Sequence, residues 1–300
     1  MMRGKSQRSI EIINAAYEIL EEIEPASVRA VCYQLFIKEL IPDMSRASTA
    51  SVSRLLTAAR EEGTVPWGWI VDESRAAECV TTWSSADARI AYSVRNYRRD
   101  YWQDQPVRVE VWSEKGTVRG TLAPILDEFG VTFRVMHGFA SATVINEIAE
   151  ESQASVKPLH ALYVGDWDPS GKYMSDVDLP VRLERYGGEV VLTRIALDAD
   201  DTWALPSFDV DTKKDDARYQ WFNKHVETDC YELDALPPPD MRSRVRAAIR
   251  ELIDKPLWNH ATRIEKVEVA SMQEFHEQWK SRLTGANSDQ TGFAPKGGVR

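Results

Sequence analysis

Apolar residues recur at helical spacing three times in the first 63 residues of the chain. Residues 8–24 place their apolar side chains on one helical face, and Pro25 ends that pattern. A second run covers residues 28–40, with Ser27 as its predicted N-cap, and a third covers residues 45–63. The pattern therefore predicts three consecutive amphipathic helices.

An aromatic, turn-containing stretch over residues 64–74 follows the third predicted helix and suits a short β-wing. Three helices followed by a wing are the order of a winged-helix domain, whose third helix usually faces nucleic acid. Another small three-helix packing unit would show the same pattern. Trp67 and Trp69 lie in this stretch, and we interpret them as packing residues rather than base-stacking residues.

Beyond Pro106 the pattern changes to short apolar runs that alternate with helical patterns. This alternation predicts an α/β domain with a mainly parallel sheet, so that the chain is α+β overall. The polar, helical residues before Pro106 predict a connector between two domains. The predicted organisation is a winged-helix domain over 1–75, a helical connector over 76–105, an α/β metal-binding domain over 106–282 and a flexible tail over 283–300.

The composition of the chain is close to that of an average globular protein, with 43% hydrophobic and 28% charged residues. No apolar run approaches 18 residues, and the basic N-terminus leads into an amphipathic segment. We therefore expect no transmembrane helix, no signal peptide and a cytoplasmic location. The net charge of −10 disfavours phosphate binding in general, but it is compatible with carboxylates gathered around metal ions.

Acidic residues follow two strands of the predicted sheet. Glu114 follows the run VRVEVWS, and Asp166 and Asp168 follow the run ALYVG. Because sites form at the carboxyl ends of parallel strands, we expect these three carboxylates to converge and to repel one another unless a cation lies among them. Mg²⁺, or Mn²⁺, suits such hard oxygen ligands. The alternative is that the acids only cap the helices that follow them.

Other charged residues in this half of the chain permit two interpretations. Glu232 and Asp234 either add a metal ligand or form a polar cap before the next helix. Lys115, next to Glu114, either contacts phosphate or is an ordinary exposed lysine. The charge run 213–216 is interpreted as a solvated surface.

The acidic motifs resemble the toprim pattern, and in detail they resemble topoisomerase VI A subunits and the meiotic double-strand-break proteins. The segments EVWSEKGTVRGTL and GDWDPSG resemble the family's strand-Glu-Lys and acid-x-acid-Pro-x-Gly segments. TRIALDADDTWALP and YELDALPPPDMRSRVRAAIRELID resemble the two segments that follow them. The resemblance covers roughly residues 10–255. It implies a winged-helix domain followed by a toprim-like domain.

The resemblance also implies a tyrosine nucleophile on the second helix. The run SVRAVCY over residues 27–33 is similar to the family's Thr-x-Arg-x-x-Tyr-Tyr, with Cys32 in place of the first tyrosine. Tyr33 would then attack a DNA phosphate and form a 5′-phosphotyrosyl bond, activated by Arg29 or by a metal. Judged from the helix pattern alone, Tyr33 equally fits a core position.

The implied catalytic residues are Tyr33, Arg29, Glu114 and Lys115, and the implied metal ligands are Glu114, Asp166 and Asp168. A basic groove is predicted from Arg46, Arg54, Arg60, Arg98 and Arg99. The resemblance implies double-stranded DNA as the substrate, a homodimer, a possible separate ATPase subunit and association with the nucleoid when DNA is bound. Two alternatives remain, namely a toprim nuclease that uses water as its nucleophile and a non-catalytic DNA-binding protein.

Overall fold

The structure, a computed structural model, describes residues 6–71, 82–136, 140 and 142–290. Its helices are α1 (Gln7–Ile23), α2 (Val28–Ile37), α3 (Arg46–Glu61), α4 (Ala86–Asn96), α5 (Val118–Phe129), α6 (Ala142–Ala154), α7 (Pro169–Tyr173), α8 (Leu179–Arg185), α9 (Tyr219–His225), α10 (Pro238–Leu252) and α11 (Lys255–Gln290). Its strands are β1 (Ala26–Ser27), β2 (Ile70–Val71), β3 (Arg108–Ser113), β4 (Thr132–Val135), β5 (Leu159–Val164) and β6 (Val190–Ala196).

The described residues form two compact units. The first combines residues 1–75 with 106–253, and the second combines 76–105 with 254–300. The predicted winged-helix and α/β domains therefore fall in one unit. The last part of the predicted α/β domain, beyond Ile253, instead belongs with the predicted connector.

The first unit begins with the three predicted helices, and serine caps each of them. The hydroxyls of Ser6, Ser27 and Ser45 accept hydrogen bonds from the backbone N–H three residues later, which satisfies an otherwise unpaired donor of the first turn. The N-cap predicted at Ser27 is thus confirmed. Their shared core consists of buried apolar side chains, among them Ile19, Leu20, Val31, Leu35 and Leu56.

The predicted wing is described only as far as Val71. Trp67–Trp69 form a 3₁₀ turn, and β2 then pairs with β1 in parallel. Trp69 packs against Tyr17 with a ring-centroid distance of 5.1 Å, in agreement with the prediction that Trp69 is a packing residue. The last residues of the predicted wing, 72–74, lie outside the described residues.

The α/β part of the first unit contains a four-stranded sheet that is parallel throughout, as predicted. Its strand order is β4-β3-β5-β6, and α5, α6, α7 and α8 provide the crossovers. From β3 the chain passes to β4 on one side, whereas β5 lies on the other side of β3. The direction of winding therefore reverses between β3 and β5. In sheets of this kind, ligands bind beyond the carboxyl ends of the two strands at such a reversal.

The second unit is helical in its described part, where α4 packs along α11. Glu265 accepts hydrogen bonds from the Arg99 N–H at 2.7 Å and from the Tyr101 hydroxyl at 2.6 Å. The buried amide of Gln105 exchanges two hydrogen bonds with the backbone of Asp254. The helix α11 was not predicted, and it continues to Gln290, inside the segment predicted to be a flexible tail. No helix in the described part of the chain is long and apolar enough to cross a membrane.

Candidate active site

The two strands at the reversal end side by side, because Ser113 of β3 is in register with Val164 of β5. Glu114 directly follows the first strand, and Asp166 follows the second after one glycine. Burial raises the pKa of Glu114 to about 7, and the nearby carboxylates of Asp166 and Asp168 add to the shift. The three predicted acids therefore converge closely enough to repel one another.

Lys115 is the cation at the centre of this edge. Its Nζ donates hydrogen bonds to Asp166 Oδ1 at 2.8 Å and to Asp234 Oδ2 at 3.1 Å. Asp166 Oδ1 also accepts a bond of 2.7 Å from the backbone N–H of Leu233. Burial alone would lower the pKa of Lys115, but the two carboxylates outweigh burial and raise the pKa above its ordinary value. Lys115 is therefore a charged, partly buried residue that binds two acids.

Asp168 has two partners, one on each oxygen. Its Oδ1 accepts a bond of 2.8 Å from the Gly171 N–H, so that Asp168 is the N-cap of α7. Its Oδ2 forms an ion pair of 3.0 Å with Lys213. The interpretation of residues 213–216 as a solvated surface is therefore wrong for Lys213, whereas Lys214 and Asp215 are exposed as that interpretation expects. Within this run, Asp216 also accepts a bond of 2.5 Å from Ser170.

Arg194 and Gly171 fix the backbone that carries the two aspartates. Arg194 is half-buried, and this burial lowers the pKa of its guanidinium. Its guanidinium donates to the carbonyls of Gly165, Asp166 and Leu197 at 3.0–3.2 Å and to that of Gly171 at 2.7 Å. Gly171 lies so close to the Asp166 carbonyl oxygen that a Cβ at this position would overlap it. The Pro-x-Gly part of the motif thus serves a close backbone approach.

The helix α2 is tied to this edge through residues 232–234 of the same chain. Arg29 donates to and forms an ion pair with Glu232, and its Nε lies 3.8 Å from Asp234 Oδ2. The Ser27 hydroxyl donates a bond of 3.0 Å to Asp234 Oδ1. Both acids therefore bind side chains of α2 and its cap, and Asp234 also binds Lys115.

Tyr33 faces the same group of charges but is 4% exposed. The Arg29 guanidinium lies 5.8 Å from the centre of its ring. Burial raises the pKa of Tyr33 above its ordinary value, and the Glu232 carboxylate raises it further. The structure thus brings together all the residues implied as catalytic, with Tyr33 in its neutral form.

The carboxylates at this edge suit a divalent cation in their chemistry. They supply hard oxygen donors, and the raised pKa of Glu114 records a repulsion that a cation would relieve. Among the described residues, no group of three or more His, Cys, Asp or Glu side chains is arranged to hold a metal ion. Mg²⁺ often takes only one or two protein carboxylates and several waters. The donor chemistry of Glu114, Asp166 and Asp168 therefore suits such an ion, whereas in this structure lysines bind both aspartates and the three carboxylates do not form a metal-binding group.

The arginines of the predicted basic groove have different surroundings. Arg46, Arg54 and Arg60 lie on α3 and, at roughly 100° per residue, fall within an arc of about 120°. Arg60 stacks on Trp67 with 4.3 Å from its Cζ to the ring centre. Trp67 is 59% exposed, so its interpretation as a packing residue was wrong.

The other two arginines, Arg98 and Arg99, belong to the second unit. Arg98 lies 5.2 Å over the ring of Tyr101. Arg99 forms an ion pair of 2.7 Å with Glu268. Its guanidinium is thus bound to an acid of α11.

The chain as a whole matches no protein-family model, no curated protein and no solved structure.

Proposed function

We propose that the chain is a Mg²⁺- or Mn²⁺-dependent enzyme that cleaves double-stranded DNA in the manner of topoisomerase VI A subunits. In this proposal, α1–α3 act as the winged-helix part and the four-stranded sheet with its helices acts as the toprim part. One observation carries the proposal. Glu114, Asp166 and Asp168 converge at the winding reversal of a parallel sheet, where the pKa of Glu114 is raised to about 7.

Glu114, Asp166 and Asp168 would hold the divalent ion, which supplies charge stabilisation at the phosphate and the leaving oxygen. Lys115 would keep its place beside Asp166 and offer its remaining ammonium hydrogen to a phosphate oxygen. Arg46 and Arg54, which are exposed on α3, would bind the DNA backbone. The positive charges that serve these roles lie locally, on α3 and at the carboxyl edge of the sheet, although the chain as a whole is acidic.

The nucleophile in this proposal is Tyr33. Its oxygen bonds to the phosphorus, the bond to the 3′-oxygen breaks, and the phenolic proton passes to the leaving 3′-oxygen by way of water or a basic side chain. Arg29, beside the ring, would stabilise the developing phenolate. By the resemblance we also propose a homodimer, in which the tyrosine of one protomer serves the acids of the other, and a separate ATPase subunit for strand passage.

The burial of Tyr33 favours a second candidate, a nuclease in which water attacks the phosphate. A phenol that is 4% exposed and whose pKa is raised by burial is a poor nucleophile in this conformation. A water molecule activated by the divalent ion needs no tyrosine. Both candidates use the same acids and differ only in the attacking oxygen.

A plasmid-cleavage assay separates the two candidates. Supercoiled DNA is incubated with Mn²⁺ and wild type, Tyr33→Phe, Asp166→Asn or the control Tyr17→Phe, and each reaction is run with and without protease digestion. Protein-linked breaks that require Tyr33 and Asp166 would support the transesterase. Free ends made by Tyr33→Phe but not by Asp166→Asn would support the nuclease. Equal cleavage by wild type and Asp166→Asn would contradict both candidates, and so would the absence of cleavage by wild type.

A further inference from the structure

We propose that Lys213 is a phosphate-positioning residue that binds Asp168 while no divalent cation is present and turns to the DNA phosphate when one binds. The inference rests on the proposed function, because it assumes that Asp168 helps to hold the cation. Its starting point is the ion pair of 3.0 Å between Lys213 Nζ and Asp168 Oδ2. Without a metal, the ammonium occupies an oxygen that the metal would need.

Lys213 is held near the acids by a segment that we call the lysine arm, residues 208–216. At its first end, Phe208 exchanges two backbone hydrogen bonds with Cys230, at 2.9 and 3.0 Å. At its other end, Asp216 accepts the bond from Ser170, which is the second residue of α7. The arm is therefore fixed at both ends beside the carboxyl edge of the sheet that carries Glu114, Asp166 and Asp168, which we call the acid edge. The backbone of Lys213 consequently stays close to the site when its side chain moves.

The side chain of Lys213 is better suited to such an exchange than that of Lys115. Lys213 is 37% exposed and forms its ion pair with Asp168. Lys115 is 24% exposed and bridges two acids, Asp166 and Asp234. A lysine side chain carries a compact charge on four flexible carbons, so it can change partners without movement of the backbone.

A divalent cation on Asp168 would repel the ammonium that now lies on the same carboxylate. The released charge would then bind a phosphate oxygen of DNA at this edge, because lysine binds phosphate well as a point charge. The change of partner by Lys213 therefore has opposite effects on the binding of the cation and on the binding of DNA. Lys213 competes with the cation in the absence of DNA, and it assists DNA only after the cation has bound.

The test compares Lys213→Met with Lys214→Met as its matched control. Lys214 is the next residue, but its ammonium pairs with Asp211 at 2.6 Å, and the side chain is 59% exposed. Mn²⁺ binding without DNA is measured by isothermal titration calorimetry. Binding of a blunt fluorescent duplex is measured by anisotropy over a range of salt concentrations, once in EDTA and once in Ca²⁺ to limit cleavage.

For Lys213→Met we expect Mn²⁺ to bind more tightly, on the order of fivefold, because a competing charge is gone. In Ca²⁺ we expect weaker duplex binding, with the slope of log K against log salt reduced in magnitude by about 1, as for the loss of one phosphate contact. In EDTA the variant should bind duplex as wild type does. Lys213→Arg should keep the wild-type salt slope in Ca²⁺, and Lys214→Met should match wild type throughout.

Two further results distinguish failure of this inference from failure of the proposed function. If Asp166→Asn binds Mn²⁺ as well as wild type, or if wild type binds none, the proposed metal site is wrong. If Asp166→Asn loses Mn²⁺ but Lys213→Met keeps wild-type Mn²⁺ affinity and salt slope, the metal site stands and the role of Lys213 is overturned. An equal loss of duplex binding in EDTA and in Ca²⁺ would likewise overturn the exchange.

Discussion

The ammonium group of Lys115 lies 2.8 Å from the carboxylate of Asp166, so the residues that follow two adjacent strands form an ion pair at the carboxyl edge of the sheet. The same ammonium binds Asp234, and both aspartates are largely buried. We expect Lys115→Met to lower the free energy of unfolding by about 1–3 kcal/mol, because two carboxylates lose a charged donor. Urea denaturation in EDTA measures this change.

The companion variant for this prediction is the double change Lys115→Met with Asp166→Asn. It removes the unpaired charge together with the lysine, so part of the lost stability should return. An unchanged urea midpoint in Lys115→Met would mean that the ion pair contributes nothing to stability. A double variant less stable than Lys115→Met would mean that the unpaired charge of Asp166 does not cause the loss of stability in Lys115→Met.

The pKa of Glu114 predicts how stability depends on pH in the absence of a divalent cation. Burial, Asp166 and Asp168 raise the pKa to about 7 from an ordinary value of 4.5, against a lowering effect of Lys115. The folded protein therefore holds this proton more tightly than the unfolded chain does. The resulting stability is complete below about pH 4.5, is lost as the pH rises to about 7, and changes little above it.

A comparison of wild type with Glu114→Gln isolates this effect. Between pH 5 and pH 8 in EDTA, wild type should lose on the order of 2–3 kcal/mol of unfolding free energy relative to Glu114→Gln, which cannot titrate there. Urea denaturation at several pH values gives both curves. Parallel curves for the two proteins would show that Glu114 does not carry a raised pKa in the folded state.

The strand-terminal acids were predictable because their positions follow from local pattern. The apolar runs that form β3 and β5 end directly before Glu114 and before Gly165, and parallel strands place their carboxyl ends at one edge. The role of Ser27 was predictable for a similar reason, since a serine before an amphipathic run is a common N-cap. In both cases the information lies within a few residues of the side chain concerned.

The partners of these acids were not predictable in the same way. The segment that carries Lys213 is held near Asp168 by the pairing of Phe208 with Cys230, a contact between segments that show no regular periodicity. Glu232 meets Arg29 across 203 positions of sequence. The helix α11 was missed for another reason. Glycine and polar residues near its end suggested a tail, yet such composition weakens a helix without excluding it.

The contact between Arg29 and Glu232 predicts a measurable coupling between α2 and the acid edge. Arg29→Met leaves Glu232, whose side chain is 20% exposed, without its guanidinium partner. We expect a loss of about 1–3 kcal/mol in the free energy of unfolding. A double-mutant cycle with Glu232→Gln should give a coupling of about 0.5–3 kcal/mol, since the two residues are in direct contact.

Arg54→Met serves as the control for this cycle, because Arg54 is exposed on α3 and its Nε donates to the carbonyl of Ala50 in the same helix. Its stability should remain within about 0.5 kcal/mol of wild type. If the effects of Arg29→Met and Glu232→Gln are additive, this ion pair does not join α2 to the acid edge, and the hydrogen bond from Ser27 to Asp234 remains as a polar link between them.

Gly171 offers a test of how tightly the backbone of the acidic motif is held. In Gly171→Ala the new methyl group would overlap the Asp166 carbonyl oxygen and lie 3.3 Å from Asp168 Oδ1. Overpacking against fixed backbone costs about 1–3 kcal/mol, which outweighs the gain of about 0.5–1 kcal/mol from placing alanine in a helix. We expect lower stability and weaker Mn²⁺ binding, measured by urea denaturation and calorimetry. Gly68→Ala, where a Cβ meets nothing within 4 Å, should change neither. Wild-type values for Gly171→Ala would show that the loop holding Asp166 yields to a methyl group, and that its close packing does not position the acids.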